Sequence, residues 1–142
     1  MNRPRRKYVL DTQLFIQGFR EPNVNEALQQ FHRSFAPFEY LHVIVAQELR
    51  SGARTRRDRQ ALERHVLNLF KRANRVVVPS VRTWHQSGDV LAEMARKDGD
   101  ILLALSCREA GCVLVTDNAR DFARIRRFAQ FEFIGSWPMP LG

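Results

Sequence analysis

The stretch DILLALSCREAGCVLVTDNARDF, residues 100 to 122, decides the fold. Asp100 opens a helical run in which Leu103, Ala104 and Cys107 follow at i+3, i+4 and i+7, and Gly111 ends it. CVLVT, residues 112 to 116, is apolar without alternation, as expected of a strand covered on both faces. Two acids, Asp117 and Asp121, come directly after it, and a last helix is expected from Asn118. In an open parallel sheet, ligands sit outside the carboxyl ends of the strands. KYVLDT, residues 7 to 12, is a second strand followed by an acid, Asp11.

Outward from these two units the chain keeps alternating. Pro22 introduces a helix with Val24, Ala27, Leu28 and Phe31 at i, i+3, i+4 and i+7. Residues 38 to 43 read as a strand leading into the helix VIVAQEL, which stops near Ser51-Gly52. Leu62, Val66, Leu69, Phe70 and Ala73 mark a longer helix, and VVVP, residues 76 to 79, reads as a buried strand closed by proline. Ser80 begins a helix carrying Trp84, Leu91 and Met94, broken at Asp98-Gly99. FEFIG, residues 131 to 135, is the last strand. Strands alternating with helices predict an α/β domain, a parallel sheet with helices on both sides. At 142 residues the chain is expected to be one domain, spanning residues 1 to 142.

No apolar run is long enough for a bilayer span, and MNRPRRKYVLD lacks the apolar segment of a secretion signal, so a cytoplasmic location without membrane association is expected. Cys107 and Cys112 read as reduced core thiols, and the four scattered histidines argue against zinc. The net charge is +8, and of 23 basic residues only Lys7, Lys71 and Lys97 are lysine. Arginine concentrates in residues 50 to 59 and 120 to 128. A guanidinium fork grips phosphate bidentately, so these clusters suit a polyanion as well as they suit an ordinary solvated helix face.

Within so basic a chain the placed acids stand out. Glu48 follows Ile44 and Val45 at i+4 and i+3, and so shares their helical stripe. Asp100 leads an apolar stripe of its own. Asp11 follows a buried strand with no helix for it to cap, which favours a functional role. The competing structural readings are an N-cap for Asp100, Asp117 or Asn118, a closing capping contact for Asp121, and an arginine ion pair for Glu48. Taken together, acids from two helices beside acids at strand ends predict a carboxylate cage for a hard divalent cation. No glycine-rich nucleotide loop and no Ser-His-Asp or Cys-His arrangement is present.

In order, VLDT with Asp11, VAQEL with Glu48, DILLALSCREAG with Asp100 and VLVTDNARDF with Asp117 resemble the PIN-domain nucleases, and among them the VapC toxins of bacterial toxin–antitoxin pairs. The resemblance runs from Tyr8 to about Phe133. It implies a three-layer α/β/α sandwich with a mostly parallel sheet of four to five strands. It also implies a Mg²⁺- or Mn²⁺-dependent endoribonuclease that hydrolyses RNA with a metal-activated water, frequent homodimerisation, and inhibition by a small antitoxin. Asp11, Glu48, Asp100 and Asp117 match the family's catalytic and metal-holding acids. Asp121, Thr116, Asn118 and Thr12 match accessory positions, whereas Gln13 stands where Asn or Ser is usual. RNA-backbone contacts are expected at Arg50, Arg54, Arg56, Arg57 and Arg124, and an antitoxin-receiving surface near Phe31, Phe35 and Phe38. A housekeeping RNA-processing nuclease without an antitoxin and a non-catalytic RNA-binding or protein-interaction module are the alternatives.

Overall fold

A computed structural model describes residues 6–95 and 99–139. Five strands form one sheet in the order β3-β2-β1-β4-β5, every neighbouring pair parallel. They are β1 (Lys7–Leu10), β2 (Glu39–His42), β3 (Val76–Val77), β4 (Cys112–Val115) and β5 (Phe133–Ile134). Between β1 and β2 lie α1 (Thr12–Arg20) and α2 (Pro22–Phe35). Between β2 and β3 lie α3 (Val43–Gly52), α4 (Arg56–Leu62), a π-helical segment (Glu63–Leu67) and α5 (Asn68–Arg72). Helices α6 (Val81–Met94) and α7 (Asp100–Ala110) cross from β3 to β4, and α8 (Ala119–Arg126) joins β4 to β5.

The strand order fixes the layers. Steps from β1 to β2 to β3 move one way across the sheet, and those from β3 to β4 to β5 move the other. Parallel crossovers are right-handed, so helices α1 to α5 cover one face and α6 to α8 the other. The packing agrees: α1 meets α2 and α3, while α7 meets α6 and α8. The direction reverses between β1 and β4, which is the switch point where such sheets bind ligands.

β4 is buried along its whole length, and Ile101 to Cys107 of α7 are buried without interruption. Over that stretch the helix, enclosed by the sheet and two neighbouring helices, has no solvent face, hence its nearly all-apolar sequence. Its polar Ser106 hydroxyl donates to the Leu102 carbonyl oxygen at 2.6 Å.

Several sequence expectations need correction. Residues 12 to 20, to which periodicity assigns no element, form α1, and Asp11 is its N-cap. The strand read over residues 76 to 79 shrinks to Val76–Val77, with Val78 65% exposed, because Pro79 has no N–H to carry the ladder further. The last strand likewise shortens to Phe133–Ile134. Asp98, read with Gly99 as a helix break, lies outside the described residues. Phe31 is fully buried, and Phe35 packs on it and on Tyr8, so this aromatic cluster is core, not a receiving surface. Phe38 is half-buried.

Candidate active site

The acids of the sequence pattern come from four elements and reach one end of the sheet. Asp11 leaves β1 with its N–H bonded to the Val115 carbonyl oxygen of β4 at 2.9 Å. Its carboxylate is held at both oxygens: Oδ1 accepts the Thr12 N–H at 2.8 Å, and Oδ2 accepts the Thr116 hydroxyl at 2.9 Å. Each carboxylate oxygen offers two acceptor sites, so one direction per oxygen stays open. Asp11 is 8% exposed, and burial raises its pKa above the ordinary carboxylate value. The Thr116 and Thr12 hydrogen bonds oppose that shift, and the nearby charges of Glu48 and Asp117 add to it.

Glu48 stands on α3 and is exposed, a correction to the inward-facing position expected from its stripe. The buried stripe of α3 is Val45 and Leu49, and Glu48 lies at its edge. Partial burial raises the Glu48 pKa, and the neighbouring charge of Asp100 raises it further. The Thr12 hydroxyl, which completes no hydrogen bond of ordinary length, is still near enough to Glu48 to favour the ionised form. Among the described residues no salt bridge reaches Glu48, and neighbouring Arg50 pairs with Glu63 instead.

Asp100 lies in the first turn of α7, half-buried, one residue after the cap Gly99 and so not itself the cap. Asp117 follows β4 and is exposed; its Oδ2 accepts the side-chain amide of Gln17 at 2.8 Å. Asn118 caps α8 by accepting the Asp121 N–H at 3.4 Å, and its amide donates to Asp121 Oδ2 at 3.1 Å. Asp121 thus has the capping contact that its spacing allowed. Repulsion links Asp117 to Asp11, Asp11 to Glu48, and Glu48 to Asp100. No three His, Cys, Asp or Glu side chains among the described residues are close enough, as they stand, to enclose a cation.

Sequence reasoning missed two neighbours of this cluster. Gln17 fixes Asp117 from a position a hundred residues earlier, a pairing without any local signal. His42 ends β2 two residues beyond the paired positions Val9 and Tyr40, which sets it level with Asp11 on the next strand. It is fully buried, and its Nδ1 accepts the Ile44 N–H at 2.9 Å, capping α3. That bond leaves the proton on Nε2, which has no partner among the described residues. Burial drives the His42 pKa down to about 4, so the ring is neutral at physiological pH.

Fold and site define a class: a doubly wound parallel α/β domain with carboxylates gathered at its switch point. The PIN-domain family model matches residues 8–128, and the chain belongs to that family. PIN domains are nucleases, that is, hydrolases of phosphodiester bonds.

Solved structures similar to the chain include FitAB bound to an IR36 DNA fragment, at 18% identity and a TM-score of 0.69, covering 94% of this chain and 97% of that one. DNA-bound VapBC from Salmonella typhimurium matches at 21% identity and a TM-score of 0.67, over 91% of this chain and 97% of that one. FitAcB from Neisseria gonorrhoeae matches at 20% identity and a TM-score of 0.66, over 93% and 99%. Among curated proteins, none matches. No described helix is long and apolar enough to cross a membrane.

Proposed function

We propose that the chain is a divalent-metal-dependent endoribonuclease, the toxin of a toxin–antitoxin pair, with Asp11, Glu48, Asp100 and Asp117 as its catalytic acids. One observation carries the reading: carboxylates from four separate elements come near enough at the sheet's switch point to repel one another in turn, Asp117 with Asp11, Asp11 with Glu48 and Glu48 with Asp100. Oxygen donors of this kind suit Mg²⁺ or Mn²⁺, and the open lone pairs of Asp11 fit such an ion. Glu48, exposed on α3 and near both Asp11 and Asp100, would join such a ligand set.

When bound, the ion supplies an acidified water and neutralises charge on the phosphate. The chain's own residues do the positioning. Thr12 and Thr116 fix both oxygens of Asp11, and Gln17 orients Asp117. Arg54, Arg56, Arg57 and Arg124, exposed and outside the described salt bridges, bind the RNA backbone; Arg50 is committed to Glu63. The products carry a 5′-phosphate and a 3′-hydroxyl.

The similar structures are toxin–antitoxin complexes, which supports an antitoxin partner for this chain as well. Homodimerisation is part of the proposal on the family resemblance alone. A groove of about 490 Å³ lined by Ile16, Phe19, Leu49, Leu62 and Val66 reaches Glu48. It suits the apolar side of an antitoxin segment whose arginine would enter the acid cluster.

The test is incubation of purified protein with tRNA and rRNA in Mg²⁺, Mn²⁺ or EDTA, beside Asp100→Asn. Cleavage is expected only with metal, with the variant slower than the wild type by at least about a hundredfold. Equal cleavage in EDTA, or by the variant, overturns the reading.

A further inference from the structure

At the opposite end of the sheet, where β1 and β4 begin, a cleft of about 510 Å³ is lined by Arg6, Lys7, Arg108, Arg126 and Glu132. Four cations against one carboxylate leave it a net charge of +3. Arg6 pairs with Glu132. Among the described residues no salt bridge reaches the other three, which are held in place by other contacts. Lys7 lies over the Tyr40 ring and Arg126 over the Phe133 ring, each 5.2 Å from the centroid. Arg108 donates to the Gln130 carbonyl oxygen at 3.3 Å and to Gln86 Oε1 at 3.1 Å.

Helices α7 and α8 both end near this cleft, and their negative ends account for part of the positive lining. Each end carries about half a charge, so the two together offset roughly one cation and leave an excess of about +2. Preformed, unneutralised guanidinium and ammonium groups in a concave site are what a phosphate ester requires.

The surface between this cleft and the acids is also basic. Arg120, Arg124 and Arg127 are exposed at i, i+4 and i+7, one face of α8 and its C-cap. That row starts just after Asp117 and Asn118 and ends beside Arg126 in the cleft. It spans roughly 10 Å at 1.5 Å per residue, close to the ~13 Å from Lys7 to Asp11 along β1. A continuous track of this kind fits a polyanion better than it fits a single small anion.

We propose that this cleft is a second RNA-binding site. It grips backbone phosphates of the strand flanking the scissile bond, after that strand has run along the arginine face of α8. The inference rests on RNA being the substrate, and it adds a requirement for length: an RNA confined to the acid end gains nothing from the cleft.

The test compares wild type with the double variant Lys7→Gln/Arg126→Gln. Binding of a labelled single-stranded RNA of about twenty nucleotides is followed by fluorescence anisotropy in EDTA across a salt series. Loss of two phosphate contacts should lower the slope of log K against log salt by ~1.4 and raise Kd roughly tenfold at low salt. The charge-retaining variant Lys7→Arg/Arg126→Lys should restore both, which separates lost charge from lost packing. A slope equal to wild type in the double variant overturns the cleft. So does calorimetric binding of inorganic phosphate to the cleft with no change in RNA affinity, which would make it a small-anion site. A wild type that binds RNA with this slope but never cleaves it would sink the nuclease reading and leave the cleft standing.

Discussion

At the scale of single residues, the candidate site combines groups that burial pushes in opposite directions. Asp11 is desolvated and surrounded by like charge, so folding raises its pKa and stabilises its protonated form. His42, level with it on the next strand, is desolvated by burial, so its pKa falls to about 4. A neutral histidine acts here as a hydrogen-bond acceptor, not as a cation. The consequence for stability can be worked out by sign. Between about pH 4 and pH 6.5 the unfolded chain protonates His42 and the folded chain does not. The unfolded state therefore binds more protons, and stability is lost as pH falls through that window, by up to roughly 3 kcal/mol. Asp11 and Glu48 act with the opposite sign, because their raised pKa values make protonation favour the fold. His42→Asn keeps an oxygen able to cap α3 and removes the titration. Urea unfolding at a series of pH values should show a shallower acid loss in the variant than in wild type. Parallel curves would contradict the buried, neutral histidine.

At the scale of elements, the loops that carry the acids are set by close helix contacts. Gly135, just past β5, faces Ala119 at the start of α8: a Cβ there would sit 2.5 Å from Ala119 Cβ and 3.3 Å from its Cα. Backbone has to move to relieve that overlap, and the start of α8 is the segment after Asp117. Gly18 in α1 is also crowded, but its added Cβ would meet the far end of Leu28, a side chain that can rotate away. Gly135→Ala should therefore cost about 1–3 kcal/mol and exceed the cost of Gly18→Ala, as measured by denaturant midpoints at constant m-value. An equal or smaller loss at Gly135 would refute this ranking.

The same contacts explain what the sequence did and did not disclose. β1, β4 and α7 were legible because their signals are local: uninterrupted apolar runs, and Gly111 where the chain adopts φ of 71°. α1 was not, because its cap is the very acid read as functional and its buried Gly18 packs on Leu28, a contact invisible along the chain. β3 and β5 were overextended, since an edge strand stops where pairing stops and not where valine or phenylalanine stops. Asp11, Asp100 and Asp117 stood out from strand ends and a helix start, and Glu48 from the helical stripe it shares with Ile44 and Val45. Gln17 and His42 escaped because only the folded sheet sets them beside those acids.

At the scale of the whole molecule, a chain of net charge +8 keeps a negative centre at one end of its sheet and a positive cleft at the other. Under the proposed function a cation bound there would relieve the repulsion among its acids, so metal binding and stability should be linked. An ion that binds only the folded state stabilises by about 2.7 kcal/mol at a concentration a hundredfold above its Kd. For a domain of this size that corresponds to roughly 6–10 °C in Tm. Asp11→Asn removes a charge whose burial is opposed by desolvation and by Glu48 and Asp117. Without metal its Tm should equal or exceed that of wild type. With Mg²⁺ or Mn²⁺ the order should reverse, because the variant has lost a ligand and gains little from the ion. Thermal melts of both proteins across a metal titration decide it. A wild-type Tm insensitive to either ion, or an Asp11→Asn protein that responds as fully as wild type, would mean that these carboxylates do not act together on a cation.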